Sequence, residues 1–290
     1  MCQKRGTRLA IAGVILATGL MTASATAIVI RHDKAPEQYL ATPQDFPPLA
    51  TFYTIGVHGT LIAPQWVLTA AHTVFCLNQG QTIRVGSELV NVEGRYSYPS
   101  YQMGKAHDLA LIKLATPVQH VTPAKLYRQQ DELHQAVWFI GSGGTGTGLT
   151  GETVDYRQNN GVLRKAQNQV TGVTASDLRF AFETGDQGLE LEGVSGNGDS
   201  GGPAFIQGTD GFYLLGVSSR TDSWLKDVGE YGIKELYTRV SSHVDWIEQV
   251  MAADELQRLK LSSQDRFLQE GMTEENLPKV CAALAIKHAA

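Results

Sequence analysis

Short runs of apolar and β-branched residues, separated by Gly, Pro, Asn and Asp, fill the chain from Thr51 to Val240. Thr51–Ile55, Gly59–Ile62, Trp66–Ala71, Ile83–Val85 and Leu89–Val92 each read as a strand bounded by turn residues. A second series starts near Gln135 and continues through Arg164–Val170, Leu178–Phe182, Ala204–Ile206, Phe212–Ser218 and Leu236–Val240. Many short strands with a turn after each predict an all-β protein built as a barrel. The connection over residues 34–50 is irregular, because Pro36, Pro43, Pro47 and Pro48 interrupt it. Helical spacing appears only late. Val244, Trp246, Ile247, Val250 and Met251 share one helix face, and a second capped helix is predicted from Thr273 to about Leu284.

The first 27 residues follow a different pattern. Lys4, Arg5 and Arg8 precede an apolar run from Leu9 to Met21, followed by Ala23-Ser24-Ala25 and Ala25-Thr26-Ala27. This is the layout of a secretory signal peptide, with cleavage expected after Ala27. The apolar run is short for a membrane anchor, the alternative reading. The expected location is therefore secreted or periplasmic, with no stable membrane association once the leader is gone.

A chain of 290 residues can bury a large core, and 30 glycines suit a turn-rich β protein. Of the formal net charge of −5, the leader carries +3, which leaves −8 for the rest. Without a basic stripe, nucleic acid is not an expected partner. Two cysteines remain beyond the leader, Cys76 and Cys281. They can pair in an oxidising compartment or stay as free thiols, and sequence leaves both open. No metal and no cofactor is expected.

The chemistry gathers at Gly196-Asn197-Gly198-Asp199-Ser200-Gly201-Gly202-Pro203. Glycines on both sides of a serine let the backbone turn tightly and aim amide N–H groups at one point beside the hydroxyl. A serine needs a base to become a nucleophile. Upstream stand Thr69-Ala70-Ala71-His72 and Asp108-Leu109-Ala110-Leu111. Three such motifs in the order His, Asp, Ser resemble the trypsin/chymotrypsin family of serine proteases, in a secreted member of bacterial type. The resemblance runs from about Ile28 to Trp246.

It implies two packed six-stranded antiparallel β-barrels with a C-terminal α-helix, to which this chain adds a helical tail. The expected layout is a protease domain over 28–260 and an extension over 261–290. Within the domain the first barrel takes 28–128, the second 129–240 and the helix 241–260. By resemblance Ser200 attacks the scissile carbonyl, His72 takes and returns its proton, and Asp108 orients His72. The N–H groups of Gly198 and Ser200 make the oxyanion hole, and Ser218 supports Asp108. His107 reads as a solvated loop residue. Ile28, freed by cleavage, inserts its ammonium beside Asp199. The disulfide that usually staples the histidine strand is missing, since Val57 and Thr73 hold its positions.

For specificity, Val194 stands at the floor of the primary pocket, Glu235 on its wall and Arg220 at its mouth. An apolar or mixed apolar/basic preference follows, with Arg220 either cancelling Glu235 or facing an acidic substrate. The alternatives are a glutamyl-specific endopeptidase and a protease-like binding protein without turnover. Expected partners are protein or peptide substrates of a monomeric enzyme. The tail is too short for a PDZ-type module, and simple packing is its expected role.

Overall fold

The computed structural model describes residues 28–222 and 226–287. The expected signal peptide and its cleavage sites lie outside the described residues. The described chain opens with β1 (Ile28–Ile30). Then come β2 (Leu49–Tyr53), β3 (Gly56–Ala63), β4 (Trp66–Thr69), β5 (Thr82–Val85), β6 (Glu88–Ser97) and β7 (Ala110–Leu114). These six close a barrel in the order β2-β3-β4-β7-β6-β5, every pairing antiparallel.

The second half holds β8 (Lys125–Leu126), β9 (Ala136–Gly141), β10 (Thr145–Thr147), β11 (Gly151–Val154) and β12 (Arg164–Val173). It continues with β13 (Asp177–Ala181), β14 (Gly193–Val194), β15 (Pro203–Gly208), β16 (Gly211–Thr221) and β17 (Lys234–Arg239). Strands β9, β12, β13, β17, β16 and β15 form the second six-stranded barrel, closed because β15 pairs with both β9 and β16. Two antiparallel barrels are thus the architecture that the strand spacing and the resemblance implied.

Alternation explains the strands' faces. In β12, Arg164, Ala166, Asn168 and Val170 are buried, while their neighbours are exposed or half-buried. Phe52, Leu61, Val67 and Ile83 fill the first barrel. In the second, Phe139 stacks on Tyr237 and both meet Phe180 edge-on, with ring centroids 4.8–5.0 Å apart. Leu68, Leu111, Leu214, Val217, Ile247 and Val250 weld the barrels to each other and to the first helix.

The two halves exchange their ends. Ile28–Ile30, placed by sequence with the first barrel, instead joins a four-stranded sheet ordered β11-β10-β1-β14. Its register sets Ile28 opposite Thr145 and Val29 opposite Val194. The glycine-rich run 143–148, which resembles no phosphate cradle in sequence, supplies β10 of that sheet. Strand β8 likewise leaves the first half and pairs in parallel with β16.

Helix α1 (Val244–Ala252) has the predicted face, but it does not run on to 260. Ala253 is extended, and Asp254 starts α2 (Glu255–Leu261) through a capping box with Gln257. Helix α3 (Leu277–Leu284) begins later than Thr273, because Thr273 and Asn276 exchange side-chain-to-backbone hydrogen bonds that form a turn ahead of it.

The tail folds back over the first barrel. Ser263 bridges Ser97, the Leu284 carbonyl accepts the Thr54 N–H at 2.9 Å, and Ala285 bridges Tyr53. Cys76 and Cys281 form a disulfide across 205 residues of sequence, which resolves the pairing that sequence left open. Such a long closed loop restricts the unfolded chain strongly. Cys281→Ser is therefore expected to lower stability by about 2–5 kcal/mol. A urea titration checks it: the midpoint should fall against wild type, and agreement of the two curves in reductant identifies the disulfide as the cause.

Candidate active site

His72 sits in the 3-10 turn Ala71–Cys76, directly after β4. Its Nδ1 lies 2.6 Å from Asp108 Oδ2, and its N–H donates to Asp108 Oδ1 at 3.0 Å. Asp108, 1% exposed, precedes β7, whose antiparallel register with β4 sets Ala110 opposite Thr69 and so delivers the carboxylate to the histidine. Thr238 Oγ1 donates to the Asp108 carbonyl at 2.9 Å. Burial pushes the His72 imidazole toward its neutral form. The Asp108 charge and hydrogen bond outweigh that and hold its pKa above the ordinary value.

The second carboxylate partner corrects the sequence reading. Ser219, not Ser218, donates its Oγ to Asp108 Oδ2, at 2.8 Å. A register shift between Ser218 and Arg220 in the β16–β17 ladder turns Ser219 toward the carboxylate. Ser218 accepts from Gly201 N–H and donates its own N–H to Gly202 C=O, both at 2.9 Å, and its side chain hydrogen-bonds Tyr237 rather than Asp108.

Gly198–Gly202 crosses from the second barrel to meet the first. Val57 N–H donates to Gly198 C=O at 2.7 Å, and His58 N–H to Ser200 C=O at 2.9 Å. With both carbonyls turned toward β3, the N–H groups of Gly198 and Ser200 find no acceptor among the described residues. Gly198 has φ +89°, and a Cβ there would sit 2.9 Å from Tyr156 Cβ. At Gly201, φ +75°, a Cβ would meet His58 O and Thr69 Oγ1 at 2.3 Å. Only glycine fits either place. Ser200 and His72 line one cavity of about 230 Å³ between the barrels.

Asp199 is buried, accepting N–H bonds from Gly143 at 2.6 Å, Gly196 at 2.9 Å, and Ile28. Burial pushes its carboxyl up to about 7, and the neighbouring Glu152 charge adds to that, while the N–H bonds oppose it. His58 Nε2 is 4.0 Å away. It accepts the Ser142 N–H at 3.1 Å, and burial drives its pKa down to about 4, so it brings no positive charge. Ile28 itself is buried with φ +65°, a conformation strained for a β-branched residue.

Val194 is fully buried against Val29, Phe182 and Ile233. Its neighbour Ser195 donates N–H to Glu235 Oε2 at 3.1 Å and shares a 2.5 Å hydrogen bond with Tyr237 OH. Burial raises the Glu235 carboxyl to about 8; the Ser195 N–H opposes this and the Asp199 charge reinforces it. Arg220 does not pair with Glu235. Both of its terminal nitrogens bind Asp177, each at 3.1 Å, as β13 and β17 bring that carboxylate alongside.

His107 is not a solvated loop residue. It stacks on Tyr98, with ring centroids 5.0 Å apart, and its Nδ1 lies 2.9 Å from His243 Nε2. Glu88 accepts the N–H groups of Gln119 and His120, and Glu93 pairs with Lys113. Among the described residues no cluster of His, Cys, Asp and Glu is arranged to hold a metal.

Two closed barrels, with a glycine-flanked serine and a hydrogen-bonded His–Asp pair brought to one cavity between them, define a double-barrel serine hydrolase architecture. The chain belongs to the trypsin family, whose model matches residues 37–247. It is 32% identical over 218 residues to a trypsin of Phaedon cochleariae, covering 66% of this chain and 77% of that one. It is 28% identical over 237 residues to phenoloxidase-activating factor 3 of Holotrichia diomphalia, covering 68% of this chain. The match spans 64% of the length of that second relative, just under two thirds. Both relatives are insect proteins, and neither supports the expected bacterial type.

Proposed function

We propose that this protein is a secreted serine endopeptidase in which Ser200 is the nucleophile, His72 the general base and then acid, and Asp108 the residue that orients His72. The observation that carries this is the Asp108 carboxylate. It holds His72 by both the backbone N–H and Nδ1, leaving Nε2 to face the cavity shared with Ser200. A neutral imidazole fixed with its proton on Nδ1 can accept the Ser200 proton as Oγ attacks a carbonyl carbon. The negative oxygen that develops meets the N–H groups of Gly198 and Ser200, whose supporting carbonyls are tied to β3. His72 then hands the proton to the leaving amine, and water repeats the sequence to release the acid.

The same reading gives Ile28 its role. Asp199 is a buried carboxylate with three N–H donors and, among the described residues, no cation beside it, and the Ile28 nitrogen already donates to it. Cleavage after Ala27 converts that amide into an ammonium and removes the strained φ of Ile28, which exists only while residue 27 is attached. Signal removal thus makes the active terminus and releases the protein to the periplasm or the cell exterior.

Glu235 supports an apolar primary pocket at neutral pH, with Val194 behind its floor. Its carboxyl stays protonated until about pH 8, and a basic side chain gains a charged partner only above that. Cleavage after basic relative to apolar residues is expected to rise between pH 7 and 9 in wild type and to stay flat in Glu235→Gln. Peptide-mixture digests analysed across that range check it. Glutamyl specificity loses its support, because Asp177 already holds the Arg220 guanidinium.

A serine-directed phosphonate tests the function itself. Covalent labelling of wild type, absent in Ser200→Ala, is the expected result. Equal labelling of both, or of neither, contradicts it and favours a protease-like binding protein.

A further inference from the structure

Resting on the peptidase reading, the geometry points to the C-terminal strap, residues 262–286, as the wall of the subsite that receives the residue after the scissile bond. The strap lies beyond the stretch matched to the family, which ends at Ile247. It is anchored on both flanks of His72. On one side Ser263 bridges Ser97, and Phe267 packs edge-on against Tyr101 with ring centroids 4.6 Å apart. On the other, Cys281 is bonded to Cys76 at the end of the His72 turn, and Ala285 bridges Tyr53.

Between these anchors the strap passes the catalytic turn. Gln269 Nε2 donates to the His72 carbonyl at 2.8 Å. Gln269, Glu270 and Met272 then line the same cavity as His72 and Ser200, together with Tyr156 and Arg157. This is the leaving-group side. The residues assigned to the primary pocket, Val194, Glu235 and Arg220, contribute nothing to this cavity, whereas Val57 and Thr73 beside His72 do. His72 protonates the departing amine, so the chain that leaves must lie on this flank.

The wall's chemistry sets what fits. Ile55, Val57, Phe75 and Met272 give an apolar lining suited to a bulky aliphatic or aromatic side chain directly after the cut. At the rim, Glu270 is exposed and has no ion-pair partner among the described residues, while the Arg157 charge is shared with Asp155 at 3.6 Å. The rim therefore favours a basic residue one position further on. The strap takes the place, beside the histidine, that the absent family staple leaves to Val57 and Thr73.

The test uses the full mature chain and internally quenched peptides identical up to the cut. One pair carries Phe or Gly directly after it, and a second pair carries Lys or Glu at the next position. An activated ester of the acyl-side peptide reports acylation without any leaving-group residue. Wild type is expected to favour Phe over Gly by roughly 10–100-fold in kcat/KM, the range that apolar pocket filling supplies. Met272→Ala should compress that ratio several-fold, and Glu270→Gln should level the Lys/Glu ratio. Ratios within one variant cancel any general loss of activity. A Phe/Gly ratio near one in wild type, or one that Met272→Ala leaves unmoved, overturns the inference while the peptidase reading stands. Ester turnover without cleavage of any peptide also overturns it, since the strap would then close the subsite. No turnover of either kind sinks the peptidase reading, and this inference with it.

Discussion

Asp108→Asn is expected to lower kcat by about 10⁴-fold with little change in KM, a magnitude taken over from the same change in this family's Ser-His-Asp triad. The cause lies in one contact. The Asp108 carboxylate lies 2.6 Å from His72 Nδ1 and holds the proton there, which on the proposed mechanism leaves Nε2 unprotonated to act as the base for Ser200. An amide in its place can present N–H₂ to Nδ1, which drives the proton to Nε2 and removes the base. The fold should survive, because an amide oxygen can still accept either the His72 backbone N–H or Ser219 Oγ. The pH profile provides a second readout. Catalysis needs neutral His72, so kcat/KM rises with pH through its pKa, which the Asp108 charge holds above the ordinary 6.5. Without that charge the residual activity's acid limb should move to lower pH. An unchanged limb, or a loss below tenfold, would remove Asp108 from the account.

The second large effect concerns the chain's new end. A protein beginning at Ile28 is expected to exceed one that retains Ala27 by about 10²–10³-fold in kcat/KM. That range corresponds to roughly 3–4 kcal/mol, the lower part of what is lost when one member of a buried ion pair is missing. With Ala27 attached, the Ile28 nitrogen is an uncharged amide and Asp199 stays a buried acid held near pH 7. As an ammonium it would hold Asp199 ionised, and through β1 it would brace Val194 and the serine turn. Expression behind two cleavable tags, one leaving Ile28 first and one leaving Ala27 first, separates the forms. Full activity of a protein starting at Thr26 would contradict the insertion.

Much of this site was legible in the sequence because its backbone demands are local. Gly198 and Gly201 stand where positive φ and close approach exclude any side chain, and His72 and Asp108 end and begin strands that pair directly. What escaped depends on long-range register. Ser218 and Ser219 are adjacent and identical in type, so only the register shift in β16 decides which one reaches Asp108. Arg220 was readable as a pocket residue until β13 brought Asp177 to it, a contact across 43 residues. The Cys76–Cys281 bond and the Gln269 contact with His72 join segments about 200 residues apart. No local pattern encodes those. The two cysteines beyond the leader, Cys76 and Cys281, were the signal for the bond, and nothing pointed to the Gln269 contact.

The most direct measurement of the central claim is digestion of a mixed peptide library by the mature protein starting at Ile28, alongside Ser200→Ala. The account predicts cuts with wild type that vanish in the variant, mostly after apolar residues at pH 7. An intact library after incubation with folded wild type, or the same cuts from Ser200→Ala, would contradict it.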